Sequence, residues 1–294
     1  MKTNIDVPAS FGIEKIRERW QEVDSMAGVG IDPVIERIPS EIWEEVGSEG
    51  DSSDAIFLFN KRIIDATAEH VVDFKVNSNF FQGELGRKAL ASTFEYLKEE
   101  HPDAIRICDG KFADVGHTAE EIAEEIFGNL DADAVLLNPY MGFDAIEPFA
   151  KWKDKLVVLC VNTSNPSAKE VQDLPLENGK QLWRHILSTS LAEWNENGNI
   201  IPVLSATHPE NLANIRDDIG DTPIVLAGVG SQGGDLDSTV QQTLDSTGYG
   251  LLISASRTIL YPEREDGESL DVASRRAVIG LKNAINQAKG NKSE

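Results

Sequence analysis

The chain has 294 residues, enough for one large domain with a substantial core, and a formal charge of −23 from 50 acidic against 27 basic residues. So acidic a surface repels a nucleic-acid backbone or an anionic membrane, and any anionic substrate must be met by a local positive site. No apolar stretch reaches the roughly 18 residues of a membrane helix, and the first residues lack the apolar core of a signal peptide; the expectation is a soluble, cytoplasmic protein.

Residues 11–24 read as an opening helix, within an N-terminal helical extension over 1–26. Short apolar runs then alternate with amphipathic ones. The strand candidates are 27–32, 71–75, 104–109, 134–138, 156–162, 200–206, 223–229 and 250–256. Each is followed by a helical candidate, at 54–70, 86–100, 118–127, 144–152, 179–194, 208–219, 233–246 and 269–288. Thr118, with Glu121 three residues on, has the spacing of a capping box, and Pro209 suits a first helical turn. Residues 33–53 read as an acidic loop, 163–178 as a long loop after the fifth strand, and 289–294 as a frayed tail. Eight such units with near-continuous apolar strands predict a single (β/α)8 TIM barrel of parallel strands over 1–294, rather than an open doubly wound sheet. The acidity is spread along helical segments such as 118–127, as expected of solvated faces.

A barrel gathers its chemistry where the strands end. Those ends carry Asp32, Lys75, Asp109 with Lys111, Asn138, Thr163 with Ser164, Ser205 with Thr207, a glycine-rich turn, and Ser256 with Arg257. Asp109 and Lys111 alternate along one strand and so face the same way, with Asp114 on the turn beyond. Together with Lys75 they make two lysines and two aspartates of zero summed charge, which can stay ionised away from water because each has an opposite neighbour. A lysine pinned beside carboxylates is a proton donor fixed in place, suited to quenching a carbanion. The same spacing equally describes a strand-end salt bridge.

The turn from Gly228 to Asp235 contains a GxGxxG match, but the strand after it ends in Ser256 and Arg257 rather than the acid that a dinucleotide fold uses for its ribose. A phosphate cradle fits better, built from backbone N–H groups around Gly230 and Gly233, the Gln232 amide and the charge of Arg257; a plain tight turn is the simpler reading. Cys108 and Cys160 lie in apolar runs and read as reduced core thiols. The five histidines have no metal-binding spacing, so a catalytic metal is not indicated. Trp152, Trp183 and Trp194 read as packing residues.

These residues resemble one family, orotidine 5′-phosphate decarboxylase in its longer, type 2 form. Asp109, Lys111 and Asp114 match its DxKxxD signature, and the likeness continues through 29–33, 74–81, 138–149, 163–172, 205–212, 227–235 and 254–260. Gly110, Phe112, Ala113, Val115 and His117 depart from the usual signature segment, as do Val76 and Gln82 from theirs, while the charged positions are kept. The resemblance implies decarboxylation of orotidine 5′-monophosphate to UMP, the last step of de novo pyrimidine synthesis, without cofactor. It implies that Lys111 protonates C6, that Asp109 crowds the substrate carboxylate, and that Lys75 and Asp32 hold the ribose. It further implies that Asp114 and Thr118 reach into the partner's site in a homodimer. Ser164, with Thr163, would read the base, and Gln232, Arg257 and nearby backbone would grip phosphate, beside Gly230, Gly233 and Ser256. Two other readings stay open: a 3-keto-gulonate-phosphate decarboxylase or hexulose-phosphate synthase, whose kind carries an acid where this chain has Lys75, and a non-catalytic nucleotide-phosphate binding protein.

Overall fold

The alternation closes on itself. In a computed structural model, which describes residues 10–207, 209–229 and 236–290, the strands are β1 (Ala27–Ile31), β2 (Asp73–Asn77), β3 (Ile105–Phe112), β4 (Ala134–Leu137), β5 (Leu156–Cys160), β6 (Ile200–Ser205), β7 (Ile224–Ala227) and β8 (Leu251–Ala255). Each pairs in parallel with the next, and β8 pairs with β1 to close the barrel. Most strand residues are buried on both faces, which is why the sequence shows runs rather than alternation.

The helices are α1 (Phe11–Val23), α2 (Ser40–Val46), α3 (Ser52–Thr67), α4 (Gly83–Glu100), α5 (Gly116–Ala123), α6 (Glu147–Ala150), α7 (Leu182–Thr189), α8 (Ile215–Ile219), α9 (Leu236–Thr243), α10 (Arg257–Leu260) and α11 (Leu270–Gly290). α1 lies across the N-terminal ends of the strands. Its Trp20 indole donates to the Leu251 carbonyl (2.9 Å), Arg19 donates to the Val71 and Ala68 carbonyls (3.2 and 2.6 Å), and Lys15 reaches Asp133 ahead of β4 (3.0 Å). The barrel is thus sealed at that end and open at the other.

Several boundaries differ from the sequence reading. Residues 33–53 are not simply loop: a 3-10 turn at Ile35–Arg37 and α2 occupy them, because Ile42 finds full burial while the acidic residues around it face water. The helix expected at 208–219 is a 3-10 turn (Pro209–Asn211) and the short α8. Thr118 is not an N-cap, since α5 begins two residues earlier at Gly116 and is entered through extended Val115. α3 does have a capping box: Asp51 accepts from the backbone of Ser53 and Asp54, and Asp54 accepts in return from Asp51. α11 continues to Gly290, two residues into the stretch read as tail.

Candidate active site

Strand register decides which side chains share the interior. Gly28 is level with both Asp73 and Ser254, and Gly30 with Lys75. Asn77 is level with Asp109, Asp109 with Leu136, and Cys160 with Val203. Because side chains alternate with period two, Gly28 and Gly30 of the first strand line the same face as Asp73 and Lys75 of the second and Asp109 of the third, and Asp32 follows directly after the first strand. A Cβ on Gly28 would collide with the Asp73 carboxyl, 2.6 Å from its Cγ, and one on Gly30 with Ser256. The absence of side chains on β1 therefore lets β2 and β8 meet across it.

At the open end, buried Asp109 holds two lysines, one on each carboxylate oxygen. Lys75 Nζ donates to Oδ2 at 2.9 Å and Lys111 Nζ to Oδ1 at 2.7 Å. The Lys111 side chain is half exposed and Lys75 much less so, so one ammonium faces the mouth while the other sits under it. Burial works against the charge on Lys75, but the carboxylates of Asp109 and Asp32, with Asp73 below, outweigh it and raise the lysine above its ordinary value. Burial likewise opposes ionisation of Asp109, yet Lys75 and Lys111 hold it below the usual carboxylate range. The group is a charged triad with an ammonium presented to the cavity. Asp32, whose charge is felt by Lys75, has a buried Oδ1 without a hydrogen-bond partner among the described residues.

The chain as a whole is similar to known proteins. Residues 56–268 fit the family model described as orotidine 5′-phosphate decarboxylase / HUMPS family. The chain belongs to this family. A Bordetella pertussis orotidine 5′-phosphate decarboxylase is similar, 37% identical over 275 residues that cover 93% of this chain and 97% of that protein. The Cellvibrio japonicus enzyme of the same name is 36% identical over 277 residues, covering 94% and 98%. Among solved structures, Leishmania donovani OMP decarboxylase superposes with a TM-score of 0.79 at 26% identity, covering 96% of this chain and 99% of that one.

Of the candidate positions, Asp32, Lys75, Asp109 and Lys111 come together at the mouth. Asp114 does not join them. It is half-buried on the turn after β3, its Oδ1 accepting from the Val115 N–H at 2.8 Å, and Thr118 is exposed on α5. At the end of β5, Thr163 is tied down: its N–H donates to Gln172 Oε1 (2.9 Å), its hydroxyl donates to Asn165 Oδ1 (2.7 Å), and Gln172 Nε2 donates back to that hydroxyl (2.8 Å). Ser164 beside it is half-buried. Ser256 stands over Gly30, and Arg257 is exposed at the start of α10. Gly230, Gln232 and Gly233 lie outside the described residues. Among the described residues, no group of three or more His, Cys, Asp or Glu is placed to hold a metal ion.

Sequence reasoning missed three neighbours. Gln172 fastens the long loop to the strand end, and only its position nine residues downstream in a polar stretch hints at it. Asp73 was inside the second strand run but passed over as a strand residue. Cys160, read as core, is half-buried and close enough to the triad to feel its charge. Burial pushes its thiol up to about 11, with the lysines opposing and Asp109 assisting, so it faces the site as a neutral thiol.

Proposed function

We propose that this chain decarboxylates orotidine 5′-monophosphate to UMP and carbon dioxide, completing pyrimidine nucleotide synthesis, as a member of the longer, type 2 form. The observation that carries the reading is Asp109 bridging Lys75 and Lys111 at the barrel mouth. In the reaction, the bond from C6 to the carboxylate carbon breaks, its electron pair stays on C6, and a proton from the Lys111 ammonium takes the place of the departing carbon dioxide. Asp109, already ionised, lies beside that carboxylate and disfavours its charge before departure, while its Oδ1 holds the Lys111 ammonium in place. Lys75 is the fixed counter-charge and, with Asp32, holds the ribose hydroxyls.

Ser164 reads the pyrimidine edge, since Gln172 and Asn165 already engage its neighbour Thr163. Gly230, Gln232, Gly233, Ser256 and Arg257 take the phosphate, at the position after the seventh and eighth strands where barrels often bind it. Remote phosphate binding then contributes to the chemical step rather than to affinity alone.

The functional unit is a homodimer in which Asp114 and Thr118 complete the partner's site. Its support is the flank of the mouth: Phe80, Leu85, Val115, Tyr140 and Met141, which follow the adjacent strands β2, β3 and β4, are all exposed apolar side chains. Cytoplasmic action suits the two free thiols, Cys108 and Cys160.

The test is the ultraviolet absorbance of orotidine 5′-monophosphate mixed with purified protein in EDTA, beside Lys111→Ala. Conversion to UMP should proceed without metal and fall by roughly 10³-fold or more in the variant, as for loss of an essential proton donor, with UMP binding largely kept. Magnesium-dependent turnover of a ketose phosphate instead would indicate the sugar-phosphate branch, and UMP binding with no turnover a binding protein.

A further inference from the structure

Lys111 reaches its position in a backbone conformation that its own side chain disfavours. Its φ is +50°, in the left-handed region where a Cβ crowds the carbonyl and which residues other than glycine rarely occupy. The strand pairing breaks at the same point: Asp109 is level with Leu136 and the next pair is Phe112 with Leu137, so Gly110 and Lys111 form a bulge with no counterpart on β4. In a straight strand the backbones at 109 and 111 would stand about 6 to 7 Å apart along the strand. The bulge folds Lys111 back, and its Nζ lies 2.7 Å from Asp109 Oδ1.

Phe112 closes this bulge from two directions. Its carbonyl accepts from the Asn138 N–H at 2.9 Å, which restores the ladder to β4. Its half-buried ring turns back over Gly110 while packing on the core. A Cβ at position 110 would come within 2.7 Å of ring atom Cε1 and overlap Cε2 and Cζ still more. The bare face of one residue and the flat ring of the other are therefore a single fit, and the strained residue lies between them.

We infer that Phe112 is a positioning residue: packed on Gly110, it holds the left-handed bulge that delivers the Lys111 ammonium to Asp109. This rests on the reading of Lys111 as proton donor. Neither Gly110 nor Phe112 need touch the substrate, so the effect belongs in kcat rather than in nucleotide affinity.

The experiment is a double-mutant cycle on the full chain, Gly110→Ala, Phe112→Ala and the two combined, with kcat, KM, UMP affinity and melting temperature for each. Either single change should lower kcat by roughly 10- to 100-fold, the scale of an ångström-sized misplacement, and leave UMP affinity within about threefold. Once the ring is gone, the added methyl at 110 has nothing to displace, so the double variant should be about as active as Phe112→Ala alone. Wild-type kcat in Gly110→Ala, or equal losses from Gly110→Ala in both backgrounds, would overturn the inference, as would a rise in KM at constant kcat. Should Phe112→Ala not fold, Phe112→Leu replaces it in the cycle with the same expectation. Lys111→Ala in the same assay tests the underlying reading separately. If that variant turns over normally, the donor assignment fails, while the 110–112 coupling is still decided by whether the drop in melting temperature caused by Gly110→Ala disappears in the Phe112→Ala background.

Discussion

Beneath the charged triad lies a carboxyl that the proposed chemistry does not use. Asp73 is fully buried two residues before Lys75; Ser254 donates to its Oδ2 at 2.8 Å, and its Oδ1 has no partner among the described residues. Burial pushes this carboxyl up to about 6, against the weaker pull of the Ser254 bond and the Lys75 charge. An unfolded aspartate titrates near 3.9, so the folded chain keeps a proton that the unfolded chain has released; the resulting stability is present at low pH and is lost as pH rises through about 6. Asp73→Asn keeps a partner for Ser254 without the charge. It should therefore be more stable than wild type at pH 8, by about 2 to 3 kcal/mol at most, with the difference shrinking towards pH 4. Urea melts of both proteins across that range measure it, and parallel curves would refute the assignment. Lys75, Asp109 and Lys111 were legible from sequence because charge at a strand end is conspicuous. Asp73 was not, since only the glycines of β1 and the register to β8 reveal that it shares their interior.

At the scale of elements, one guanidinium organises the sealed end of the last two strands. Arg216 of α8 makes five hydrogen bonds to backbone carbonyls: two to Thr243, and one each to Gly220, Thr222 and Gly250. These belong to the end of α8, the approach to β7, the end of α9 and the approach to β8, so a single side chain fixes where both strands begin. Burial lowers its pKa to about 10 despite Asp245 and Asp221, and it stays charged at neutral pH. Arg216→Met keeps the bulk and strands those acceptors. It should cost about 2 to 5 kcal/mol of stability, and Arg216→Lys should recover little, because an ammonium cannot span the same carbonyls. Chemical denaturation tests this; a loss under about 1 kcal/mol would show the carbonyls finding water instead. The eight strands were readable as apolar runs, whereas helix starts were less so. Gly116 opens α5 at a φ of +55°, a glycine-dependent turn that a search for polar caps passes over in favour of Thr118.

For the whole molecule, the proposed dimer predicts complementation. Mixing Asp114→Asn and Lys111→Ala proteins under conditions of subunit exchange makes heterodimers with one site that has both Lys111 and a partner's Asp114. Random exchange should restore about a quarter of wild-type activity, half the dimers being mixed and each having one complete site of two. Two weakly active proteins that remain so after demonstrated exchange would count against Asp114 acting across the interface. The exposed apolar flank that includes Phe80 and Tyr140 is where that interface is expected, and removing it should shift the dimer equilibrium before it alters the barrel.

By itself the sequence determined the βα rhythm, the barrel and the polar character of its strand ends, because buried parallel strands and amphipathic helices impose their periods locally. It also picked out Lys75, Asp109 and Lys111, since charge at the end of an apolar run stands out in one dimension, but it grouped Asp114 with them, which the turn after β3 holds apart. Only the tertiary structure decided that Asp109 takes one lysine on each oxygen, that Asp73 and Ser254 meet across Gly28, and that Phe112 covers Gly110 beneath a left-handed Lys111. Those facts depend on strand register, on a bulge and on the space left by absent side chains. Such properties arise between segments distant in sequence or from backbone geometry, and residue type alone does not encode them.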